Sequence, residues 1–480
     1  HHGLSVEQGK VLDHLVGGGD LRNVVGFAGT GKSKMLGAAK EVWEKAGYRV
    51  LGASLSGIAA ETLEASSGIE SRTLASRFYY WDRGQEILTA KDILVIDEAG
   101  MLGSRQVGEV LEEANKRGAK VVMVGDPEQL QAIEAGAAFR AIAEKTSFVE
   151  LTEIWRQKAD WQKDATIQFA TKQTAEALEQ YAKHDCIYDF DTQVQAKEAL
   201  VDAWNDVRIA NPDKTQIMLA YTRVDSRDLN VMARSLRQSL GELGEDHDIS
   251  TARGERTFAE GDRIYFFKND RELGVKNGTL GTIVEIAEGK LGKELTVRLD
   301  KEEGGKPITI DFSLERYNEL DYGYAATIHK GQGVTVDNTY VLASEYLDRH
   351  ATYVAMTRHR ETAELYWSKE VFPHYDSMVK TLSRERGKDS TLDYEQEKQF
   401  AQNRGFSLSE GWGGFESYPA ESGRDEYKVP AGFEDLFTPD MLKKINDSKN
   451  ADYNDFLVSK RDDEFKNDLA KSKDDKEIDF

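Results

Sequence analysis

The sequence contains a single cysteine, Cys186, among its 480 residues. One thiol cannot build a disulfide framework or a cysteine-rich zinc site, and sparse cysteine is typical of a reducing compartment. We therefore interpret Cys186 as a small apolar side chain, and we expect the protein to be cytoplasmic.

Long apolar runs are also missing. No stretch approaches the ~20 apolar residues that span a bilayer, and no signal peptide opens the sequence. We therefore expect no membrane insertion. The pair His1 and His2 fits the remnant of a purification tag as well as natural sequence, and both interpretations stay open.

An excess of positive charge is absent too, since the net charge is −22. Taken as an average, this acidity argues against binding to nucleic acid. Residues 384–480 carry 24 acidic and 16 basic side chains, a net −8 that leaves −14 for residues 1–383. A translocating enzyme needs only a positively lined channel, so the acidity does not exclude DNA.

What the sequence does contain is the stretch GFAGTGKS, Gly26–Ser33, directly after the short run Asn23–Val25, which looks like the end of a buried strand. Glycines let the N–H groups of such a loop approach phosphate oxygens, Lys32 would reach the β- and γ-phosphates, and Ser33 would offer its hydroxyl to Mg²⁺. A chance glycine turn before a helix is the alternative. The predicted nucleotide-binding residues are Gly26, Gly29, Thr30, Gly31, Lys32 and Ser33.

A second motif, ILVIDEAGML at Ile93–Leu102, ends an uncharged strand in two adjacent carboxylates. Asp97 is suited to hold Mg²⁺ and Glu98 to polarise the attacking water. A solvated surface pair is the alternative, which a fully apolar strand disfavours. Together the two motifs predict hydrolysis of a nucleoside triphosphate, ATP, with Mg²⁺.

Strands and helices alternate along most of the chain, as in a parallel sheet with helices on both faces. The alternation is interrupted once and then resumes, which predicts two similar α/β layers in tandem. The expected helix is Ser5–Val16, and the expected strands are Asn23–Val25, Arg49–Ala53, Ile93–Ile96, Lys120–Val124, Phe148–Leu151, Gln216–Ala220, Tyr322–Ala325, Thr339–Leu342 and Glu364–Trp367.

The interruption, Gly261–Phe312, has apolar residues at every second position and turn residues between the runs. This pattern predicts a small inserted β-barrel. After about Arg384 the pattern decays into the glycine- and aromatic-rich stretch Gly411–Tyr418 and the charged stretch Lys443–Phe480. We expect that end of the chain to lie partly on the surface as helix or to be disordered, and to be dispensable for the activity that the motifs carry.

Two further motifs follow strands of the first layer. In VGDPEQLQ, Val124–Gln131, Asp126 and Gln129 end a strand, and Gln129 is placed to sense a γ-phosphate. In LTEIWRQ, Leu151–Gln157, Arg156 follows the last strand. Taken singly, Arg156 fits a surface ion pair equally well, as His329 of the next motif fits a satisfied polar residue and Arg358 fits a charge on a helix face.

Two more motifs lie in the second layer. GYAATIHKGQGVTVD, Gly323–Asp337, forms a predicted strand-to-helix turn, and RHATYVAMTRHR, Arg349–Arg360, forms a predicted helix. The turn carries Thr327, His329, Lys330, Gln332 and Gly333, and the helix carries Tyr353, Thr357 and Arg358.

This ordered set resembles the superfamily 1 helicases of the RecD-like branch (SF1B) over Leu4 to about Leu382. More narrowly it is similar to the helicase part of Ti-type TraA conjugative relaxases, in which VLVIDEAGM, VGDPEQLQ, ATIHKxQGxTVD and TYVAMTRHR recur. The inserted segment Phe258–Ile283 is the most family-specific part, and in RecD-like helicases it belongs to an SH3-like barrel.

The resemblance implies two tandem RecA-like P-loop domains. The implied divisions are domain 1A at 1–154 with a pin-like 1B insertion at 76–90, domain 2A at 155–250 and 316–383, an SH3-like 2B insertion at 251–315, and an extension at 384–480.

The same resemblance implies roles for further residues. Gln8 would read adenine, Arg156 and Arg358 would face the γ-phosphate, and Gln332 and Gly333 would belong to the nucleotide site. The residues implied to lie near the DNA backbone are Ser54, Thr73, Thr327 and His329.

The implied activity is ATP-dependent unwinding of DNA with 5′-to-3′ travel on single-stranded DNA. Its implied partners are single-stranded DNA, duplex junctions and the conjugative transfer (type IV secretion) machinery, and we expect a monomer. The relaxases also carry a nicking domain with a tyrosine and a histidine cluster. Nothing here matches that domain, so we expect no strand nicking.

The stretch Ser76–Thr89 lies where RecD-like enzymes carry a hairpin, or pin, that helps to split the duplex. Its four consecutive aromatics, Phe78–Trp81, are interpreted as half-buried strand residues, with base stacking as the alternative.

Two rival functions stay open from the residues alone. One is a non-motor DNA-binding module in which ATP is a switch or a relic, although every residue needed for hydrolysis is in place. The other is a small-molecule P-loop kinase. That function would leave unexplained the inserted barrel and the set formed by Gln129, Arg156, Thr327–Gly333 and Arg358.

Overall fold

A computed structural model describes residues 3–130, 137–289, 292–303 and 306–386, and the side chains of 301–303 are left aside. His1, His2, Gln131 and the extension beyond Arg386 lie outside the described residues. The expectations for a tag and for the stretches 411–418 and 443–480 therefore stay predictions.

The first layer is a six-stranded parallel sheet with strand order β3-β2-β4-β5-β1-β6. Its strands are β1 Leu21–Gly26, β2 Arg49–Ser54, β3 Ser71–Thr73, β4 Asp92–Ile96, β5 Lys120–Gly125 and β6 Phe148–Leu151. Its helices are α1 Val6–Val16, α2 Lys32–Lys45, α3 Gly57–Ser67, α4 Leu74–Trp81, α5 Ser104–Arg117 and α6 Ala138–Lys145, with a 3-10 turn at Ala99–Met101.

The side chains of strand β4 show why the strands of this layer are apolar at every position. Ile93 and Val95 pack into the core on one face of the sheet, whereas Leu94 and Ile96 pack into the core on the other face. Successive side chains of a strand point to opposite faces, so helices on both faces require apolar residues at every position. The expected strands of this layer are confirmed.

The second layer begins with α7 Asp160–Ala170, α8 Thr174–Lys183, β7 Ile187–Phe190, α9 Gln193–Ala210, β8 Gln216–Ala220 and α10 Arg223–Ser239. The inserted strands follow: β9 His247–Thr251, β10 Gly254–Phe258, β11 Arg263–Phe266, β12 Leu280–Gly289, β13 Gly292–Glu303, β14 Lys306–Ser313 and β15 Leu320–Tyr322. The layer then resumes with β16 Ala325–Thr327, α11 Ile328–Gly331, β17 Val336–Leu342, α12 Arg349–Met356, β18 His359–Ser368 and α13 Tyr375–Leu382.

The second sheet is parallel, with strand order β16-β8-β17-β18-β7. One expected strand, Tyr322–Ala325, is wrong, because the chain changes sheets inside it. Strand β15 pairs antiparallel with β11 of the insertion, whereas β16 pairs parallel with β8. Strand β7 was not predicted, because it is only four residues long and none of its side chains is fully buried.

The insertion contains a five-stranded antiparallel sheet of order β14-β13-β12-β11-β15 and a separate β9–β10 hairpin. The alternating apolar runs predicted within Gly261–Phe312 are confirmed as strands β11 to β14, whereas closure into an SH3-like barrel stays a prediction. A loop of the insertion also contacts the first layer. Lys276 Nζ lies 3.4 Å from Glu61 Oε1 of α3. A Cβ atom on Gly278 would overlap Ile58 of the same helix.

The expected pin hairpin is wrong in the form predicted, because Leu74–Trp81 is the helix α4. Leu74, Phe78 and Trp81 recur at helical spacing and pack against one core, and the Thr73 side chain caps the helix by accepting from the Ser76 N–H. Part of the aromatic run is therefore core, as interpreted, but on a helix rather than a strand. Tyr79 is 52% exposed.

Two smaller expectations concern burial and membranes. Cys186 is buried, and burial together with the charges of Glu364 and Asp185 raises the pKa of its thiol to about 11. Cys186 packs within a hydrophobic cluster, which confirms its interpretation as a small apolar side chain. Within the described ranges, no helix combines the length and apolar content needed to cross a bilayer.

Candidate nucleotide site

The loop between β1 and α2 has the backbone of a phosphate cradle. Gly29 and Gly31 adopt left-handed φ values of 82° and 77°. A Cβ atom on Gly29 would lie 2.6 Å from Arg156 Cβ, and one on Gly31 would lie 2.7 Å from Gln8 Nε2. Glycine is therefore required at both positions by conformation and by close approach.

Lys32 begins α2 and turns back into this loop. Its Nζ donates hydrogen bonds to the carbonyls of Gly26 at 2.8 Å and Phe27 at 2.9 Å. Ser33 follows it in the first helical turn and is half-buried. The ammonium group and the helix N-terminus thus both face the space that the glycine loop encloses, an arrangement suited to a polyphosphate.

Gln8 supports the loop from α1. Its Nε2 donates to the Thr30 carbonyl at 3.1 Å, and its Oε1 accepts from the Ser5 N–H at 3.2 Å. The side chain is buried. Gln8 therefore holds the phosphate loop in position, and its expected contact with adenine stays a prediction.

The two carboxylates follow β4 directly. The Asp97 N–H donates to the Ala53 carbonyl at 3.0 Å, and the Glu98 N–H donates to Asp97 Oδ1 at 2.9 Å. Glu98 has φ 55° and ψ 37°, a left-handed conformation that costs a non-glycine residue about 1 kcal/mol or more. Such local strain is common where a side chain must be aimed at a reaction centre.

Electrostatics at this pair favour a cation. Burial and the negative charge of Glu98 raise the pKa of Asp97, and the positive charge of Lys32 opposes that rise only in part. In the described part of the chain, no cluster of three or more His, Cys, Asp or Glu side chains could hold a metal alone. Mg²⁺ is commonly held by one or two protein oxygens plus substrate phosphates, so Asp97 and Ser33 fit an ion that arrives with the nucleotide.

Asp126 follows β5 and connects the two layers. Its Oδ2 accepts hydrogen bonds from Gln129 Nε2 at 3.0 Å and from the Tyr353 hydroxyl at 2.7 Å. The same hydroxyl accepts from the Ala28 N–H of the phosphate loop at 2.8 Å. A tyrosine of the second layer therefore touches both the loop and the residue beside the expected γ-phosphate sensor.

Two arginines meet at this boundary. Arg358 is 1% exposed, and its Nη2 lies 3.4 Å from Gln129 Oε1. Arg156 donates through Nη1 to the Thr357 carbonyl at 2.7 Å, and its backbone N–H donates to the Gly29 carbonyl at 3.2 Å. Burial and the charge of Arg358 lower the pKa of Arg156 to about 9. Both guanidinium groups contact Thr357, so two positive charges lie close together at the boundary, an arrangement suited to a polyanionic ligand.

One detail of the expected arrangement is wrong. Helix α12 ends at Met356, and Thr357 leaves the helical region with φ −119°. Arg358 therefore follows the helix rather than lying on it, because the chain turns here into β18. Its Nε is fixed by the Val354 carbonyl at 2.9 Å.

The expected DNA contacts are divided between the layers. Ser54 and Thr73 are register partners at the carboxyl ends of β2 and β3. Ser54 is fully buried, whereas the Thr73 hydroxyl caps α4. Thr327 and His329 begin the α11 turn of the second layer, where burial lowers the pKa of His329. All four assignments to DNA stay predictions.

Gln332 and Gly333 come directly after that turn. The Gln332 amide donates to Glu98 Oε2 at 3.2 Å. Gly333 has φ 82° and lies beside Ala59 of α3. Gln332, which the resemblance places in the nucleotide site, thus contacts the carboxylate expected to polarise water.

Sequence reasoning missed two features of the site. Trp155 is 57% exposed, and its Cδ1 would lie 4.0 Å from a Cβ atom on Gly31. The available signal was an aromatic residue directly before Arg156. The second feature is an ion cluster in which Arg349 contacts both Glu128 and Glu385, which only the folded chain brings together.

Comparison with known proteins places this site in a family. A family model described as an AAA domain matches residues 3–192. The conjugal transfer protein TraA of Rhizobium radiobacter is 45% identical over 85% of this chain and 37% of its own length. The ATP-dependent RecD2 DNA helicase of Deinococcus radiodurans is 30% identical over 75% of this chain and 48% of its own length.

The chain is related to TraA and to the RecD-like helicases of superfamily 1. It spans 37% of the length of the TraA relatives. Among solved structures, Bacteroides Pif1 bound to single-stranded DNA aligns with TM-score 0.52 and 20% identity, covering 78% of this chain and 95% of that one. At that identity the likeness establishes a shared fold, that of two RecA-like layers.

Proposed function

We propose that this chain is an ATP-driven motor that moves along single-stranded DNA and unwinds the duplex ahead of it. The observation that carries the proposal is the convergence of two layers on one phosphate loop. Lys32, Asp97 and Glu98 come from the first layer, and Arg358 reaches Gln129 from the second. A site divided in this way closes when nucleotide binds and opens when it leaves.

Each group has a defined part in hydrolysis. Lys32 and the loop N–H groups bind the β- and γ-phosphates, and Glu98 orients and polarises the attacking water. Arg156 and Arg358 stabilise the charge that develops as the phosphoryl group leaves. Bound Mg²⁺, held by Ser33 and Asp97, would supply charge neutralisation on the phosphates.

Translocation requires that the same closure moves DNA. The expected DNA contacts lie on both layers, with Ser54 and Thr73 on one and Thr327 and His329 on the other. A strand that crosses both layers would be drawn forward when they approach and released by one of them when they separate. The Pif1 relative of the same fold, bound to single-stranded DNA, supports this assignment.

The relatives support a conjugative setting. We infer 5′-to-3′ travel, action at duplex junctions and service to a DNA-transfer machinery, with a monomer as the active form. The proposal concerns the motor segment only, because the TraA relatives are much longer than this chain. A small-molecule kinase would leave the insertion and the expected DNA contacts on both layers unexplained.

ATP turnover with and without DNA tests the proposal. Hydrolysis should rise strongly on addition of single-stranded DNA, and a forked duplex with a 5′ single-stranded tail should be unwound. A non-motor binding module would bind DNA without unwinding it. A small-molecule kinase would hydrolyse ATP without any response to DNA, and either result would contradict the motor.

A further inference from the structure

A contact between the two layers connects the expected DNA turn to the catalytic carboxylate. Gln332 Nε2 donates to Glu98 Oε2 at 3.2 Å. Gln332 belongs to the second layer, directly after α11, whereas Glu98 follows β4 of the first. A donated hydrogen bond occupies a carboxylate oxygen that would otherwise orient the attacking water.

The Gln332 side chain is poorly satisfied in this position. It is 6% exposed, and its Oε1 is buried without a hydrogen-bond partner in the described part of the chain. A buried amide oxygen without a partner costs free energy. The arrangement therefore loses little if the amide moves away to other partners.

Gln332 directly follows a short helical turn that also carries two of the expected DNA contacts, Thr327 and His329. Helix α11 is one turn long, and Thr327 is its N-cap. The Gln332 N–H points to the His329 carbonyl at 3.4 Å, and Gly333 follows against Ala59 of α3. A displacement of Thr327 or His329 therefore moves Gln332 relative to the first layer.

The backbone conformation of Glu98 makes the position of its side chain depend on its neighbours. Its left-handed backbone at φ 55° is strained for a residue with a side chain. Such a residue stays in place only while its surroundings hold it there, and the Gln332 amide is one of those surroundings.

We propose that Gln332 restrains Glu98 until single-stranded DNA occupies the Thr327–His329 turn, so that Gln332 makes ATP hydrolysis depend on DNA. This inference rests on the proposed function. Gln332 is a positioning residue here, because it acts through Glu98 rather than on the nucleotide. DNA at the turn withdraws the amide, and Glu98 is then free to polarise water.

The test is the rate of ATP hydrolysis by Gln332→Ala in the full chain with and without an oligothymidine. Loss of one hydrogen bond to a charged group should raise the DNA-free kcat about tenfold. The KM for ATP should stay within about twofold of wild type, because the amide does not bind phosphate. The ratio of DNA-stimulated to basal rate should fall by the same factor as the basal rate rises.

Two further variants isolate the contact. Glu98→Gln combined with Gln332→Ala should be as inactive as Glu98→Gln alone, since the gain must pass through Glu98. Gln238→Ala removes an exposed amide on α10 and should leave both rates unchanged.

A Gln332→Ala variant that binds ATP normally but has a basal rate at or below wild type would overturn the restraint, as would a gain that survives in the double variant. A wild-type chain without DNA stimulation would instead overturn the proposed motor. The two failures are therefore distinguishable.

Discussion

The hydroxyl of Tyr353 donates a hydrogen bond to the Asp126 carboxylate at 2.7 Å, and in doing so it joins the second layer to the first. It also accepts from the Ala28 N–H of the phosphate loop. Both contacts are buried. These two contacts hold the second layer against the first at the phosphate loop.

Tyr353→Phe tests the strength of this connection. The change removes one partner from Asp126 and the acceptor of the Ala28 N–H, which should lower the free energy of unfolding by about 1–3 kcal/mol. Urea unfolding measures it. Tyr346→Phe, at a side chain that is 50% exposed, is the matched control and should change stability little. Equal stability of the two variants would mean that the bridge contributes nothing.

Arg358→Ala should separate binding from turnover. An arginine that stabilises developing phosphoryl charge is worth on the order of 10³ to 10⁵ in rate, yet adds little to ground-state affinity. The variant should bind Mg·ATP and single-stranded DNA within about tenfold of wild type while DNA-stimulated hydrolysis collapses. Arg358→Lys should rescue poorly, because a point charge cannot copy the planar guanidinium.

Two comparisons sharpen that experiment. Lys32→Ala should weaken nucleotide binding itself, and Arg360→Ala, at an exposed neighbour of Arg358, should leave turnover nearly unchanged. If Arg358→Ala hydrolyses ATP at a rate close to wild type, the second layer does not supply the arginine and the divided site is wrong.

Trp155→Ala should weaken the binding of ATP but not of inorganic tripolyphosphate. The exposed indole beside Gly31 offers a flat face to a base, and stacking of this kind is worth about 1–3 kcal/mol, or roughly tenfold in affinity. Isothermal titration with both ligands measures the difference, and Trp155→Phe should keep most of the affinity. Equal weakening toward both ligands would show that the indole supports the loop instead of the base.

The point at which the extension can be removed follows from Glu385. Its carboxylate accepts from the His350 ring at 3.1 Å and pairs with Arg349, which also contacts Glu128 of the first layer. A chain ending at Arg386 should keep wild-type DNA-stimulated ATPase activity. A chain ending at Leu382 loses this carboxylate and should be about 1–3 kcal/mol less stable. Loss of activity on ending at Arg386 would show that the extension serves the motor.

The same carboxylate predicts a pH dependence. Burial alone would raise the pKa of Glu385, but hydrogen bonds from His350 and Arg349 hold it well below its ordinary value of 4.5. The unfolded state therefore binds the proton more readily, so this stabilisation is present above about pH 4.5 and is lost as the pH falls further. The stability difference between wild type and Glu385→Gln should shrink on acidification from about pH 6 to about pH 3. A difference that stays constant would contradict the ion cluster.

Binding to single-stranded DNA should depend on salt and tolerate any sequence. A channel that moves along a strand holds phosphates and base faces, so log K should fall with log salt by roughly 0.7 for each phosphate neutralised. Fluorescence anisotropy on short oligonucleotides of different sequence measures both properties. A flat salt response or strong preference for one sequence would count against the motor.

The chemistry of the first layer could be predicted from sequence because it lies in short contiguous segments. The loop Gly26–Ser33 and the pair Asp97 and Glu98 each include their own strand end, so local pattern and position agree. The strand runs of the insertion were equally visible, since alternation is a local property.

Contacts between the layers could not be predicted in the same way. Tyr353 with Asp126, Gln332 with Glu98 and Arg349 with Glu128 are each separated by more than 200 residues in the chain. Only the fold brings such pairs together. The prediction of a pin hairpin was wrong for a different reason. It carried the family's hairpin over to a segment whose apolar residues recur at helical spacing.

The insertion contacts the first layer and is continuous with the second, so it joins the two layers at a further place. At one end, Lys276 and Gly278 rest on α3 of the first layer. At the other, β15 of the insertion leads through only Gly323 and Tyr324 into β16, whose last residue is Thr327. We therefore expect a movement of α3 to displace the turn that bears Gln332 through the insertion as well as through the direct contact between Gln332 and Glu98.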